Sequence, residues 1–211
     1  MSDSSNKALL PDGLRDALPP DAAHEAAMIE RLMQIVGAQG YERVEPPLVE
    51  FEDSLLDGAG QDVSLATFRL MDPVSQRMMG VRADITPQVA RIAATRLTNV
   101  ARPLRLAYAG PVLRVRGDQL RPERQFNEVG AELFGPQQAA ADIEIISLAA
   151  DALIGVGVKD LSIDLNVPTL TPMIFDSVGM DDTMTERARL ALDRKDAAGV
   201  ADAAMLKGMR D

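Results

Sequence analysis

The segment 110–135, GPVLRVRGDQLRPERQFNEVGAELFG, constrains the fold more than any other part of this sequence. Side chains of a β-strand alternate between its two faces, so Arg114 and Arg116 share one face of a first strand. In the returning strand Glu128 and Glu132 share a face, and apolar residues alternate with them. The pattern predicts an antiparallel hairpin with an apolar face that packs on helices and an opposite, charged face.

The charged face carries the side-chain types that bind an amino acid. Arginine presents a planar fork that suits a carboxylate or a phosphate, and a glutamate accepts hydrogen bonds from an ammonium group. We expect Gly130 to leave open space between the two glutamates, and Arg121 and Arg124 in the loop to offer further contacts to an anion. The face therefore predicts a zwitterion site, although cross-strand ion pairs on a solvated sheet explain the same residues.

A second group of candidate residues lies in VRADITPQ, residues 81–88. Asp84 and Thr86 follow a predicted strand and precede a predicted helix, and both offer side-chain oxygens to an amino group. A structural interpretation also stands: Thr86 before Pro87 has the pattern of a helix N-cap, and Asp84 that of a turn residue.

The rest of the chain alternates short strands and helices. Helical periodicity begins at Asp21 and again near Gln138, and a hairpin is predicted around Asp72. A strand is predicted at 161–166, with three short helices after it. Sequential strands with hairpin links predict an α+β fold, in which an antiparallel sheet is flanked by helices on one side.

Composition excludes several classes of site. Lys and Arg number 22 against 32 Asp and Glu, which gives a net charge of −10 and disfavours a nucleic-acid surface. The absence of cysteine and the single histidine exclude disulfides, thiolate metal sites and histidine-rich zinc sites. We expect no metal, no cofactor and no membrane partner. The start of the chain has no signal-peptide pattern, which predicts a cytoplasmic protein.

These stretches together resemble the catalytic core of the class II aminoacyl-tRNA synthetases, in the histidine–tRNA ligase branch. The run YERVEPP at 41–47 is similar to the first motif of that class, which builds a homodimer interface, and VRADIT to the amino-group site of the branch. The segment 110–135 is similar to the second motif, whose arginine contacts the α-phosphate of ATP. The resemblance implies a flexible N-terminal arm (1–18), a C-terminally truncated core (19–179) and the start of a helical insertion (180–211).

Within this branch the chain resembles the regulatory subunits of ATP phosphoribosyltransferase, which are non-catalytic paralogues of the ligase. Arg116 stands where the second motif of the ligase has a glutamate, and Pro122 where its loop has an arginine. Glu128 replaces a ligand-contacting glutamine, and Asp84 replaces a glutamate. The resemblance implies a pocket whose amino-acid half is partly retained while its nucleotide half is damaged.

The resemblance also implies a role and partners. The chain would not be an enzyme; it would regulate the first step of histidine biosynthesis, allow feedback by free histidine, and form a homodimer within a hetero-oligomer with the short-form catalytic subunit. The implied histidine-binding residues are Asp84, Thr86, Arg114, Glu128 and Glu132, with Arg116, Arg121 and Arg124 as candidate anion contacts. A divergent or fragmentary histidine–tRNA ligase, and an amino-acid-binding paralogue that serves another partner, remain alternatives.

Overall fold

A computed structural model describes residues 10–205 except 59, 119, 120, 166, 168 and 178. The helices are Asp21–Ala38 (α1), Glu52–Leu55 (α2), Gln61–Ala66 (α3), Thr86–Thr95 (α4), Ala139–Gly155 (α5), Leu170–Ser177 (α6), Asp182–Asp193 (α7) and Ala197–Met205 (α8). The strands are Glu42–Arg43 (β1), Val49–Phe51 (β2), Phe68–Met71 (β3), Met78–Val81 (β4), Leu104–Leu113 (β5) and Gln125–Phe134 (β6). The chain forms two compact units, Met1–Leu161 and Ser162–Asp211.

The long hairpin of the first unit is the predicted one. Strands β5 and β6 pair antiparallel, with Tyr108 opposite Gly130 and Leu106 opposite Glu132, and β1 adds to β5 in parallel. The first strand ends earlier than expected, because β5 stops at Leu113. Arg114 lies just beyond it, where it forms an isolated bridge with Thr67 and its N–H donates to the carbonyl of Arg124 at 2.8 Å. Arg116 lies in no strand, so the predicted strand position is wrong for Arg116.

Helices cover both faces of this sheet, which corrects the prediction of helices on one side. On one face Val89 of α4 packs with Leu106 and Val112 of β5. On the other face Val36 of α1 and Leu148 of α5 pack with the small residues of the hairpin. The reason lies in β5 itself, whose buried positions fall on both faces of the strand, and a strand that is apolar on both sides requires two covering layers.

An ion-pair network ties α5 to the second of these faces. Arg105 donates from Nε and Nη2 to the two carboxylate oxygens of Glu144, each at 2.7 Å. Tyr41, next to β1, donates its hydroxyl to the same carboxylate at 2.8 Å. Three elements far apart in sequence are therefore joined at one carboxylate.

A second sheet, in the order β2-β4-β3, is antiparallel throughout. Its hairpin turns at Asp72 as predicted, because the Asp72 carboxylate accepts the backbone N–H groups of Val74 and Ser75 at 3.1 Å each. Just past β4, Arg82 is buried and donates to the carbonyls of Pro46 and Pro111, both at 2.8 Å. This arginine fixes the chain where it leaves the second sheet and enters the turn before α4.

The second unit contains α6, α7 and α8, which confirms the three helices expected in the tail. Phe175 and Ala188 form its small core, and Asp181 caps α7 by accepting the N–H of Met184 at 2.8 Å. The strand predicted at 161–166 is wrong for residues 161–165, which pair with no strand among the described residues; residue 166 lies outside them.

Two further expectations concern the chain as a whole. The first half of the predicted N-terminal arm, residues 1–9, lies outside the described residues, and the boundary at 179/180 remains a prediction. Within the described ranges, no helix combines the length and the apolar character needed to cross a bilayer.

Candidate functional site

The turn between β4 and α4 lies beside one face of the long hairpin, and there the predicted binding residues meet. Thr86 Oγ1 lies 2.8 Å from the hydroxyl of Tyr108 in β5. The same hydroxyl donates to Glu132 Oε1 at 3.3 Å, and Glu128 Oε1 accepts the N–H of Ile85 at 3.4 Å. Residues from β6, from the turn and from the start of α4 thus gather around the phenol group of β5.

Asp84 completes this cluster and also organises the turn. Its Oδ1 accepts the N–H of Thr86 at 2.7 Å, which confirms the turn interpretation of Asp84. The N-cap interpretation of Thr86 is wrong, because α4 begins at Thr86 itself and the preceding Ile85 makes no side-chain cap. Because Asp84 already accepts the N–H of Thr86, the threonine hydroxyl does not cap the helix and instead hydrogen-bonds with the hydroxyl of Tyr108.

Burial and the charge of Asp84 raise the proton affinity of the two glutamates in the cluster. Burial raises the pKa of Glu128, and the negative charge of Asp84 raises it further. Burial likewise raises the pKa of Glu132, again with a contribution from Asp84. Burial also raises the pKa of the Tyr108 hydroxyl, so this group keeps its proton at neutral pH. A cation bound among these groups would relieve both desolvation and repulsion.

Arg114 stands at the edge of the cluster. Its Nε donates to the carbonyl of Ala83 at 3.2 Å, and its guanidinium lies 5.0 Å from the centre of the Phe126 ring. Its positive charge partly offsets the burial that raises the pKa of Glu128, although the two groups form no ion pair. The structure thus places this arginine near the predicted carboxylates, as the sequence pattern suggested.

The three candidate anion contacts do not form one group. Arg124 uses Nε and Nη1 for the backbone carbonyls of Arg114 and Asp12, at 3.3 and 3.1 Å. Arg121 is exposed and lies 4.4 Å from the centre of the Phe126 ring. Arg116 is exposed and makes no ion pair with another described residue. Their role in anion binding remains a prediction.

The expected space above Gly130 does not exist, because the ring of Tyr108 fills it. Sequence reasoning missed Tyr108 altogether. The signal was present in the alternation of β5 and in the hairpin register, which together put an aromatic side chain opposite the glycine between two glutamates. An aromatic residue facing glycine across a hairpin is a specific pattern, independent of the charged residues of the same face.

The cluster is suited to an organic cation. No group of three or more His, Cys, Asp or Glu side chains in the described part of the chain is arranged to hold a metal ion. The three acidic side chains Asp84, Glu128 and Glu132 are instead spread around the hydroxyls of Thr86 and Tyr108. Several acceptors spread over a surface fit the separate N–H donors of an ammonium group and a ring nitrogen.

Comparison with known proteins places this geometry in context. A family model described as histidyl-tRNA synthetase matches residues 13–210. Proteins named ATP phosphoribosyltransferase regulatory subunit from Paramagnetospirillum magneticum and Rhodospirillum centenum are both 58% identical to this chain, over 95% and 94% of its length. These matches cover 53% and 51% of the two relatives, so the chain spans about half the length of the curated relatives it matches.

Solved structures confirm the predicted α+β architecture. A Bacillus halodurans protein described as an ATP phosphoribosyltransferase regulatory subunit/histidyl-tRNA synthetase is 27% identical, with a TM-score of 0.79 over 94% of this chain and 51% of its own. The histidyl-tRNA synthetase of Nostoc is 18% identical with a TM-score of 0.74, over 93% of this chain and 48% of its own, and shows likeness of fold alone.

Proposed function

Because the chain belongs to the histidyl-tRNA synthetase family, we propose that it acts as a non-catalytic regulatory subunit of ATP phosphoribosyltransferase and binds free histidine. The names of the relatives at 58% identity support the regulatory role. The activity and partners of the whole protein are part of this proposal, since the chain corresponds to about half of those relatives.

The observation that carries the histidine proposal is the cluster of acidic side chains around Tyr108 and Thr86. In our assignment Asp84 and Thr86 accept hydrogen bonds from the ammonium group of the ligand. Glu128 and Glu132 face the end of the pocket that receives the imidazole ring. Arg114 supplies the cation for the carboxylate, because its two terminal nitrogens make no hydrogen bond to another described residue.

The regulatory role requires that histidine binding changes a partner. The proposed partner is the short-form catalytic subunit, which joins ATP to phosphoribosyl pyrophosphate in the first step of histidine biosynthesis in the cytoplasm. The chain would form a homodimer within that hetero-oligomer. If histidine binding disfavours the active state of the complex, the active state disfavours histidine binding by the same free energy, typically about 1–3 kcal/mol.

The test is to mix the full chain with the short-form catalytic subunit and to separate complexes by size-exclusion chromatography at micromolar concentration. We expect co-elution, transferase activity that depends on this chain, and loss of that activity when histidine is added. The proposal is wrong if the two proteins elute separately and the transferase is equally active alone. A complex that forms but ignores histidine would contradict the sensing part only.

A divergent histidine–tRNA ligase is the second candidate, favoured by the family model and by the position of Arg114 beside the amino-acid cluster. ATP–pyrophosphate exchange with histidine separates the two candidates. Robust exchange would replace the regulatory proposal with the ligase. Histidine binding without exchange and without any effect on the transferase would instead indicate a paralogue that serves another partner.

A further inference from the structure

Tyr108 occupies the centre of the proposed histidine site, and no predicted role covers it. The residue is 4% exposed, its ring lies against Gly130, and its hydroxyl contacts Thr86 and Glu132. The phenol hydroxyl contacts Thr86 at the proposed ammonium end of the pocket and Glu132 at the proposed ring end. It can therefore affect which hydrogen-bond donors and acceptors each end offers to a ligand.

Both hydroxyl groups have hydrogen-bond acceptors inside the cluster. Tyr108 donates to Glu132 Oε1 at 3.3 Å, and a tyrosine that donates its one proton there accepts from Thr86, whose Oγ1 lies 2.8 Å away. Both hydroxyl protons are therefore held inside the cluster. The backbone N–H groups of Ile85 and Thr86 are held there too, by Glu128 and Asp84.

The consequence is a lining made of acceptors at the end where the two glutamates lie. Carboxylates have only lone pairs to offer, and the hydroxyl protons that could have pointed at a ligand point at one another. A ligand ring with an N–H group finds a partner on this lining. A ring of the same size with only an acceptor atom faces a lone pair instead.

We propose that Tyr108 is the positioning residue that makes this pocket select ligands whose five-membered ring carries an N–H donor, by holding the protons of Thr86 and Tyr108 away from the ligand. The inference rests on the proposed function, because it concerns the ring end of the histidine site. Without the phenol hydroxyl, the Thr86 hydroxyl loses its contact with Tyr108 and Glu132 loses a donor that fixes its orientation, so the lining no longer discriminates.

The test compares histidine with 3-(2-furyl)alanine, which keeps the amino-acid end and the ring size but has no ring N–H. Calorimetric titration of the full chain should show at least about tenfold preference for histidine, the scale of one hydrogen bond to a charged group. Tyr108→Phe should weaken histidine binding about tenfold and furylalanine binding less than threefold, so that the preference nearly disappears.

Tyr41→Phe is the matched control. It also removes a phenol hydroxyl that donates to a glutamate, Glu144, but outside the pocket, so it should leave the ratio of affinities as in the wild type. An unchanged ratio in Tyr108→Phe, or an equal fall in Tyr41→Phe, would overturn the role of Tyr108 and leave the proposed function standing. Wild-type protein that binds no histidine at millimolar concentration would overturn the histidine site and this inference with it.

A second variant covers the case in which Tyr108→Phe does not fold. Glu132→Gln keeps the shape of the side chain and adds an N–H₂ donor to the lining. It should shift the preference toward furylalanine at least tenfold relative to the wild type. A wild-type ratio in a folded Glu132→Gln protein would contradict the proposal.

Discussion

The phenol ring of Tyr108 lies across the α-carbon of Gly130 in the facing strand. A methyl group built on Gly130 would overlap the ring atom Cζ and the hydroxyl oxygen and would lie 2.7 Å from Cε2. Side chains of directly opposed residues normally stand side by side, so the ring can lie flat only because its partner has no side chain. The position of the hydroxyl between Thr86 and Glu132 depends on this pairing.

Gly130→Ala should therefore displace Tyr108. We expect it to destabilise the protein by about 1–3 kcal/mol, the usual cost of overpacking, and to abolish histidine binding. Urea denaturation and calorimetric titration measure the two effects. Gly37→Ala in α1 is the control, since a β-carbon there meets nothing within 4 Å and alanine favours helix by up to about 1 kcal/mol. A Gly130→Ala protein as stable as the wild type would contradict the packing argument.

Glu128→Gln should stabilise the fold and weaken histidine binding. Burial, and then the charge of Asp84, raises the pKa of Glu128, so the ionised form is disfavoured in the folded state. The resulting destabilisation exists above that raised pKa and disappears as the pH falls through it. At pH 7 we expect the variant to be more stable by about 1 kcal/mol and to bind histidine about tenfold more weakly.

Chemical denaturation of both proteins at several pH values tests this prediction. The stability advantage of Glu128→Gln should shrink as the pH is lowered, because the wild-type glutamate becomes neutral. An advantage that grows on acidification would show that the sign assigned to the Glu128 pKa is wrong.

Two substitutions of Asp84 separate its structural role from its binding role. Asp84→Asn keeps an oxygen that can accept the N–H of Thr86 and removes the charge, so stability should change little while histidine affinity falls at least tenfold. Asp84→Ala loses the acceptor as well and should cost about 1 kcal/mol of stability, as the loss of a helix cap does. Thermal unfolding measures the stability of both variants, and calorimetric titration measures their histidine affinity. Full histidine affinity in Asp84→Asn would show that Asp84 does not bind the ligand.

Glu144 should make the fold sensitive to acid. Its hydrogen bonds from Arg105, and then from Tyr41, lower its pKa from 4.5 to about 2. A depressed carboxyl pKa contributes stability that is complete above the ordinary value and is lost as the pH falls toward the folded value. The wild type should therefore lose stability between about pH 4.5 and pH 2 more steeply than Glu144→Gln, as measured by fluorescence or circular dichroism. Parallel curves would contradict the assignment.

Arg82 should be among the most sensitive positions of the first unit. Arg82→Met would leave the carbonyls of Pro46 and Pro111 without the donors that now lie at 2.8 Å, and hydrogen bonds to charged groups contribute about 1.5–3 kcal/mol each. We expect a loss of about 2–4 kcal/mol in thermal or urea unfolding. Arg69→Met, which breaks a more exposed ion pair with Glu52, should cost at most about 1 kcal/mol. Equal losses would contradict this reading.

The hairpin shows which features of the fold sequence periodicity predicts and which it does not. Alternation in 110–135 correctly put Glu128, Gly130 and Glu132 on one face, since the direction of a side chain in a strand follows from its position. The same alternation could not say that α4 covers this face, because covering depends on where a distant helix packs. The end of β5 at Leu113 was missed for a similar reason, because the next residue, Arg114, forms a bridge with Thr67 of a distant segment.

The hydroxyl of Thr86 could cap α4 or contact the sheet, and local sequence patterns do not predict which of the two it does. Threonine before proline is a sound N-cap pattern, yet Asp84 satisfies the N–H of Thr86 and the hydroxyl of Thr86 contacts Tyr108, 22 positions later. The outcome depends on a phenol brought in by the sheet. No local pattern contains that information.

The sequence alone determined the α+β class, the antiparallel hairpin, the tail helices and the shared face of Glu128 and Glu132, because each depends on periodicity, turn residues or charge along a short stretch of chain. Only the tertiary structure decided that Tyr108 fills the space at Gly130, that helices cover both faces of the sheet, and that two hydroxyl protons stay within the cluster. These features arise from contacts between segments far apart in the chain, whose geometry is fixed only when the sheet and its helices pack together.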